Sequence, residues 1–260
     1  MSTVIIIPAR QGSTRFPGKP KAIIKGKTLL YRTWLIAKAV KNIDEVYVAT
    51  DNFDLKKLAE SFGAKVLMTR EDCENGTERV YDAINQLENK PEIAINLQGD
   101  AVLTPPWIIQ PIVDAMHRDP TIQIATPAAH LNWPKYDEFV TLKSTGRTSG
   151  TLVVFDLKYN ALYFSKGIIP HLRDRKATDP NVYRHIGLYA YRYPALVAYN
   201  KLKASPLEKA EQLEQLRALE NGIPIKVIPV DYKGRTPWSV DNPEDVRIVE
   251  SIIDREGELV

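Results

Sequence analysis

The chain has 260 residues, 44% hydrophobic and 26% charged, which supports a sizeable core and excludes a disordered chain. Its net charge of +3 is too slight to imply a nucleic-acid or membrane partner, and its one cysteine, Cys73, excludes an intramolecular disulfide and a cysteine-built zinc site. The longest apolar stretches are strand-length and broken by charge or proline, so neither a membrane span nor a signal-peptide core is expected. A soluble, unprocessed, cytoplasmic protein of one domain over 1–260 is the expectation, with no internal repeat or low-complexity tract.

Thr3 to Ile7 is a continuously apolar, β-branched run of the kind found in strands buried on both faces. It enters the loop Pro8-Ala9-Arg10-Gln11-Gly12-Ser13-Thr14-Arg15-Phe16-Pro17-Gly18-Lys19-Pro20. Gly12 and Gly18 allow close backbone approach, while Arg10, Arg15 and Lys19 offer charge-assisted donors, so the loop suits phosphate. It lacks the Walker spacing, because Pro20 follows Lys19 where Ser or Thr would stand. A basic surface turn without a ligand is the plainer alternative; a place at the carboxyl end of the first strand of an open α/β sheet favours the ligand.

Leu29 to Val40 carries Leu30, Trp34 and Ala37 on one helical stripe, and Glu45 to Ala49 reads as a second strand, which makes a βαβ unit. Asp51 opens a helix from Leu55 to Phe62 that Gly63 ends, and Lys65 to Met68 is the third strand; Trp34 and Met68 read as core. Thr77 is placed to cap the next helix, whose N-terminus and Arg79 could meet an anion or a base edge, whereas Cys73 reads as a small half-buried residue. Ile93 to Leu97 is another buried strand and ends in Gln98-Gly99-Asp100, where a carboxylate beside a glycine is well placed for Mg²⁺. A helix from Pro106 to His117 and a strand from Ile122 to Pro127 follow, with His117 a surface residue at the helix end. Residues 130–150 give no clear element, and His130 and Trp133 read as structural.

From Gly150 the pattern turns antiparallel, with strands Thr151 to Phe155 and Ala161 to Ser165 joined by a hairpin-like connection. Arg184 to Arg192 alternates as one strand with His185, Gly187, Tyr189 and Tyr191 on a common face. Ser205 opens a helix that runs to Gly222, on which Glu208, Glu211 and Glu220 read as solvated. Ile223 to Val230 is a strand, and Asp241 or Asn242 reads as the cap of a last helix that starts at Pro243.

Six stretches in order carry a resemblance that spans nearly the whole chain: Ile7 to Pro20, Gly76 to Arg79, Gln98 to Asp100, Arg184 to Arg192, Leu213 to Arg217, and Val240 to Asp245. Together they resemble the CMP-Kdo synthetases (3-deoxy-manno-octulosonate cytidylyltransferases). The resemblance implies an α/β, Rossmann-like nucleotidyltransferase fold with a mostly parallel sheet flanked by helices and a small antiparallel sugar-binding and dimer-forming part. It divides the chain into a nucleotide-binding half at 1–128 and a sugar-binding and dimerisation part at 150–230. It also implies that Pro8, Ala9, Arg10, Arg15, Lys19, Asn75, Arg79 and Gln98 contact the nucleotide. Asp100 and Asp241 would be the Mg²⁺ ligands and, with Arg10 and Lys19, the catalytic set. Lys166, His185, Tyr189, Glu214 and Gln215 would face the sugar acid. The chain departs from the pattern at Cys73, Asn75 and Ala101-Val102, and Lys166 stands where the family has the arginine that binds the sugar carboxylate.

The implied reaction joins CTP to 3-deoxy-manno-octulosonate (Kdo), giving CMP-Kdo and pyrophosphate for lipopolysaccharide synthesis. The anomeric hydroxyl attacks the α-phosphorus, in a homodimer. The departures leave open a modified or different ulosonic acid, such as an 8-amino octulosonate or a nonulosonate. A catalytically silent nucleotide-sugar sensor is a further alternative, against which the paired carboxylates argue. A nucleic-acid module would need a basic stripe with interleaved aromatics, which the chain lacks.

Overall fold

The computed structural model describes residues 1–12, 15–146, 150–175 and 178–260. Strand β1 (Thr3–Pro8) runs at the centre of the parallel half, with Ile5, Ile6 and Ile7 wholly buried, as their two-faced apolar pattern requires. Burying each such side chain stabilises the fold by about 1.5–3 kcal/mol. The chain then forms a two-stranded ribbon, β2 (Ile23–Ile24) and β3 (Lys27–Thr28), before α1 (Leu29–Lys38), which Thr28 caps by accepting from the Tyr31 amide. β4 (Glu45–Thr50) lies parallel to β1, and β5 (Lys65–Met68) lies parallel to β4. Between them α2 (Phe53–Ser61) is capped by Asn52 and not opened by Asp51, whose carboxylate is engaged elsewhere. Trp34, read as core from its place on the helical stripe, is partly buried and packs with Tyr31 and Phe62 against the margin of the core.

α3 (Gly76–Asn85) leads to β6 (Ile93–Leu97), the second parallel neighbour of β1, and α4 (Pro106–Arg118) leads to β7 (Ile124–Leu131). Within the stretch that gave no clear element, β7 continues to Leu131, and Asn132 caps α5 (Trp133–Ser144). Pro134 in its first turn and a weak apolar stripe conceal that helix. β8 (Thr151–Phe155) and β9 (Ala161–Ser165) form the expected hairpin, whose turn is tied by the Asp156 carboxylate to the amides of Lys158 and Asn160.

The expected single strand from Arg184 is two, β10 (Val182–His185) and β11 (Leu188–Arg192), separated at Ile186-Gly187. The break lets one line of chain serve different neighbours: β10 lies between β7 and β8, while β11 lies between β6 and β7. α6 (Tyr193–Asn200) follows without a signal in the periodicity. The expected helix from Ser205 to Gly222 is also two, α7 (Pro206–Glu211) and α8 (Gln215–Glu220), because Gln212 adopts φ 52°. β12 (Ile225–Val230) pairs parallel to β7, and α9 (Asp245–Glu256) closes the chain.

The result is one ten-stranded sheet in the order β5-β4-β1-β6-β11-β7-β10-β8-β9, with β12 joined to β7. Its parallel strands make a Rossmann-like half, and the antiparallel wing continues from it. On one face α1, α2 and α4 bury Leu30, Leu55, Ile109 and Ile112 against β1 and β6. On the other, α3, α6 and α8 bury Val80, Ile84, Leu196 and Leu216. The carboxyl ends of β1 and β6 therefore open side by side between the two helical layers, where open α/β sheets bind ligands.

Candidate active site

The loop after β1 is anchored where it leaves the strand. Pro8 pairs in the strand, and the Ala9 amide donates to the Ala49 carbonyl at 2.8 Å. Arg10 is exposed and makes no ion pair with any described residue. Ser13 and Thr14 lie outside the described residues. The loop closes through the Gly18 amide to the Gln11 carbonyl at 3.3 Å, with Gly18 at φ 72°, a conformation that costs glycine little. That turn presents Lys19, whose ammonium lies 2.7 Å from Asp100, while Arg15 lies 2.9 Å from Asp241. Four residues from three distant parts of the sequence thus meet above β1 and β6.

Gly99 is what allows this closeness. A Cβ there would sit 2.7 Å from the Pro8 carbonyl oxygen, so only glycine lets the end of β6 pass so near the end of β1. Thr33 of α1 supports the same loop by donating to the Gly99 carbonyl at 3.1 Å. The Asp100 carbonyl accepts from the Val240 amide at 3.4 Å, which sets Asp241 beside Asp100. Asp241 is not the helix cap: the Asp245 carboxylate reaches back to the amides of Asp241 and Asn242 at 2.9 and 2.7 Å and to the Trp238 indole. This frees the Asp241 carboxylate for the site. Burial, and then the charge of Asp100, raise its pKa, while Arg15 and Lys19 oppose the rise.

That balance bears on a metal. Among the described residues no group of three or more His, Cys, Asp or Glu could hold an ion, so a closed zinc-like site is not built here. Two adjacent carboxylates fit Mg²⁺, which keeps several waters and commonly takes one or two carboxylates plus substrate phosphate oxygens. Their mutual repulsion is what a divalent cation would relieve.

The Gln98 side chain lies against Gly76, whose Cβ position would be 3.0 Å from Nε2. Gln98 donates to Asn96 Oδ1 at 3.2 Å, Asn96 donates to Thr77 Oγ1 at 3.3 Å, and that hydroxyl meets the Tyr191 phenol at 3.3 Å. Thr77 is therefore a buried relay and not the helix cap. Asn75 caps α3 by accepting from the Glu78 amide at 2.9 Å, and its own amide group donates to Glu78. Arg79 is not brought to the site: it is 2% exposed, pairs with Asp51 at 2.6 Å, and also donates to Thr69 and the Arg70 carbonyl. Cys73 is buried, and desolvation raises its thiol pKa, in keeping with an inert role.

The residues expected to face the sugar fall into two groups. His185, Tyr189, Glu214 and Gln215 share one side of the sheet. The His185 ring lies 5.5 Å from Tyr189 and 5.0 Å from Phe164, and its Nε2 is 2.9 Å from the Thr126 hydroxyl. Burial pushes its pKa down to about 3, so it is neutral at physiological pH. Tyr189 is buried, and burial raises its phenol pKa well above the usual value. Glu214 Oε2 and Gln215 Nε2 are shut off from solvent with no hydrogen-bond partner among the described residues. Burial pushes the Glu214 pKa up to about 7, although Thr77 and Arg217 work against it. Lys166 belongs elsewhere, with Lys143 and Glu211.

The three glutamates read as solvated are all engaged. Glu208 accepts from Arg217 at 2.6 and 2.8 Å and closes a capping box with Ser205. Glu211 accepts from Ser165 Oγ and the Lys166 amide, and Glu220 from Ser205 and the Leu207 amide. Sequence reasoning also missed Asp51, Thr33 and Tyr191. Tyr191 could have been found from its place on the His185 face, whereas Asp51 and Thr33 carry no local signal.

Residues 4–228 match the family described as cytidylyltransferase. The chain is 49% identical over 260 residues, covering all of both chains, to the 3-deoxy-manno-octulosonate cytidylyltransferase of Maricaulis maris (strain MCS10). It is 42% identical over 250 residues to the 8-amino-3,8-dideoxy-manno-octulosonate cytidylyltransferase of Shewanella sp. (strain ANA-3), covering 95% of this chain and 96% of the relative. A solved CMP:2-keto-3-deoxy-manno-octonic acid synthetase in complex with CTP superposes with a TM-score of 0.86 at 34% identity, over 98% of this chain and 100% of the other. With the glycine-bordered basic loop, the paired carboxylates and these likenesses along its whole length, the chain belongs to the cytidylyltransferase family.

Proposed function

We propose that this chain transfers the cytidylyl group of CTP to Kdo, giving CMP-Kdo and pyrophosphate for lipopolysaccharide synthesis in the cytoplasm, where CTP is made. The observation that carries this reading is the meeting of Lys19 with Asp100 and Arg15 with Asp241 at the ends of β1 and β6, in a chain so similar to the Maricaulis enzyme. The nucleotide lies over the first loop, with Pro8 and Ala9 as its floor and Asn75 and Gln98 toward the base. Arg79 supports this part from within through Asp51.

The anomeric hydroxyl of the sugar acid attacks the α-phosphorus, and the bond to the β-phosphate oxygen breaks. Arg10, Arg15 and Lys19 balance the charge that gathers on the departing pyrophosphate, and Arg15 and Lys19 are already held beside the two carboxylates before the reaction begins. Asp100 and Asp241 would hold Mg²⁺, which when bound supplies positive charge beside the phosphates. His185, Tyr189, Glu214 and Gln215 orient the sugar hydroxyls. The enclosed Glu214 Oε2 and Gln215 Nε2, which have no hydrogen-bond partner among the described residues, favour a ligand that brings its own donors and acceptors.

A homodimer is part of the proposal. β9 is the edge strand of the wing, and Leu157 and Leu162 of the β8–β9 hairpin are exposed, a surface that a second copy would cover. A second reading, an 8-amino octulosonate as acceptor, is favoured by Lys166 and by the Shewanella relatives.

The test is Mg²⁺-dependent pyrophosphate release from CTP with Kdo, 8-amino-Kdo and a nonulosonate, run beside Asp100→Asn. Release with Kdo that Asp100→Asn abolishes supports the main reading. Release with another acid alone moves the substrate and keeps the chemistry, and silence across the panel with CTP still bound supports a sensor.

A further inference from the structure

A chain of side-chain hydrogen bonds runs beneath the candidate site on one face of the sheet. Asn96 of β6 stands opposite Tyr189 of β11, so the two share a face, and Gln98, two residues on, continues it. This is the face on which Tyr189 meets His185. The first turn of α3 lies directly against it. A Cβ on Gly76 would come 3.0 Å from Gln98 Nε2 and 3.6 Å from Asn96 Nδ2, so glycine lets the helix start close to both amides. Thr77, the next residue, and Asn96 are wholly buried.

The chain has a direction. Gln98 Nε2 donates to Asn96 Oδ1 at 3.2 Å, and Asn96 Nδ2 donates to Thr77 Oγ1 at 3.3 Å. The Thr77 hydroxyl has one proton and two lone pairs. It meets the Tyr191 phenol at 3.3 Å and also the Glu214 carboxyl group, where its hydrogen bond opposes the rise in pKa. An ionised carboxylate can only accept, so the Thr77 proton belongs to Glu214 and its lone pairs take Asn96 and Tyr191. Asn96 must then turn its nitrogen to Thr77 and its oxygen to Gln98, and Gln98 must turn its nitrogen to Asn96. That leaves the Gln98 oxygen as an acceptor. Reversing one link alone would set two donors or two acceptors face to face, so the links hold or reverse together.

We propose that Thr77 and Asn96 are positioning residues that couple the two substrates, so that a nucleotide at Gln98 and a sugar acid at Glu214 each favour the binding of the other. This rests on the reading of Gln98 as a nucleotide contact and Glu214 as a sugar contact. A nucleotide group that donates to the Gln98 oxygen favours the observed direction of the chain. A sugar hydroxyl that donates to Glu214 Oε2, which has no partner among the described residues, holds the carboxylate as an acceptor and favours the same direction. Whichever ligand binds first fixes that direction, and the second meets it already fixed. Neither Thr77 nor Asn96 has to touch a substrate.

The test measures the Kd of CMP by calorimetry with and without saturating Kdo, at pH 8, above the Glu214 pKa of about 7. CMP has no pyrophosphate to lose, so nothing turns over. In wild type, Kdo is expected to tighten CMP on the order of 5- to 10-fold. Thr77→Val removes the hydroxyl at nearly constant shape, and the gain should fall to less than ~2-fold while CMP alone binds with little change. Thr77→Ser keeps the hydroxyl and should keep the gain. A wild type that binds both ligands without coupling overturns the inference. So does Thr77→Val with the wild-type gain, even where it binds CMP more weakly throughout, because that marks a purely structural contact. Loss of the gain in Thr77→Ser as well would also count against it. Wild type that binds CMP and no Kdo removes the substrate reading itself, and that is seen before a variant is compared. If Thr77→Val does not fold by circular dichroism, Asn96→Leu carries the test: a lost gain supports the coupling, and a retained one refutes it.

Discussion

Replacing Glu214 with Gln tests the buried end of the proposed sugar site through stability alone. The break at Gln212 turns Glu214 inward, where Tyr189, Tyr191 and Tyr199 surround its carboxyl group. Arg217 is close enough to offset some of the cost, but it is held in a two-pronged contact with Glu208. The rise from the ordinary 4.5 to about 7 is therefore mainly desolvation. At ~1.4 kcal/mol per unit this shift is worth at most about 3.5 kcal/mol. The folded pKa is raised, so between 4.5 and about 7 the folded chain keeps a proton that the unfolded chain releases, and stability falls as pH rises through that window. Gln cannot titrate. Urea denaturation at pH 5 and pH 8 should show Glu214→Gln gaining on wild type by about 2 to 3 kcal/mol between the two. Other titrations are common to both proteins and cancel. The same difference at both pH values would refute the argument.

His185 gives the opposite sign. Its pKa is depressed to about 3 in the folded chain, so the unfolded chain binds the extra proton, and stability should fall by ~1.4 kcal/mol per pH unit below about 6.5. Acid titration of His185→Gln by circular dichroism should lose that slope, and a slope equal to wild type would count against the buried neutral ring. Gly99→Ala places a methyl group 2.7 Å from the Pro8 carbonyl, so the end of β6 must shift at a cost of about 1–3 kcal/mol. Its kcat should fall because Asp100 moves with the loop, and wild-type turnover would show that the loop tolerates the shift. Arg79→Met strands Asp51 and should cost about 3–5 kcal/mol in thermal unfolding, with part regained in the double variant Asp51→Asn, Arg79→Met. Full additivity of the two changes would mean the pair does not interact.

Much of the parallel half was legible because its signals are local. Thr3 to Ile7 is apolar throughout, Gly63 stops α2, and Gln98-Gly99-Asp100 ends a buried strand, so strand, turn and site residue could each be read from adjacent positions. Asp100 of the candidate site was read from that same local signal, whereas Asp241 read locally as a helix cap and entered the candidate site only through the resemblance. Which group caps α9 was not: Asp241 and Asn242 are good cap residues, and only the folded turn shows the Asp245 carboxylate accepting from their amides and leaving Asp241 for the site. Glu208, Glu211 and Glu220 sit on helices where periodicity marks a solvated face, yet each is claimed by a partner that periodicity cannot reveal.

The sequence by itself determined the buried strands, most of the helices and the chemical character of the first loop, because backbone preference and apolar spacing act over a few residues. Tertiary structure alone decided that β11 would enter between β6 and β7, that the chain would break at Gly187 and Gln212, and that Arg79 would be spent on Asp51. These outcomes depend on which distant groups share a low-dielectric interior, and there the cost of an unpaired charge outweighs local preference.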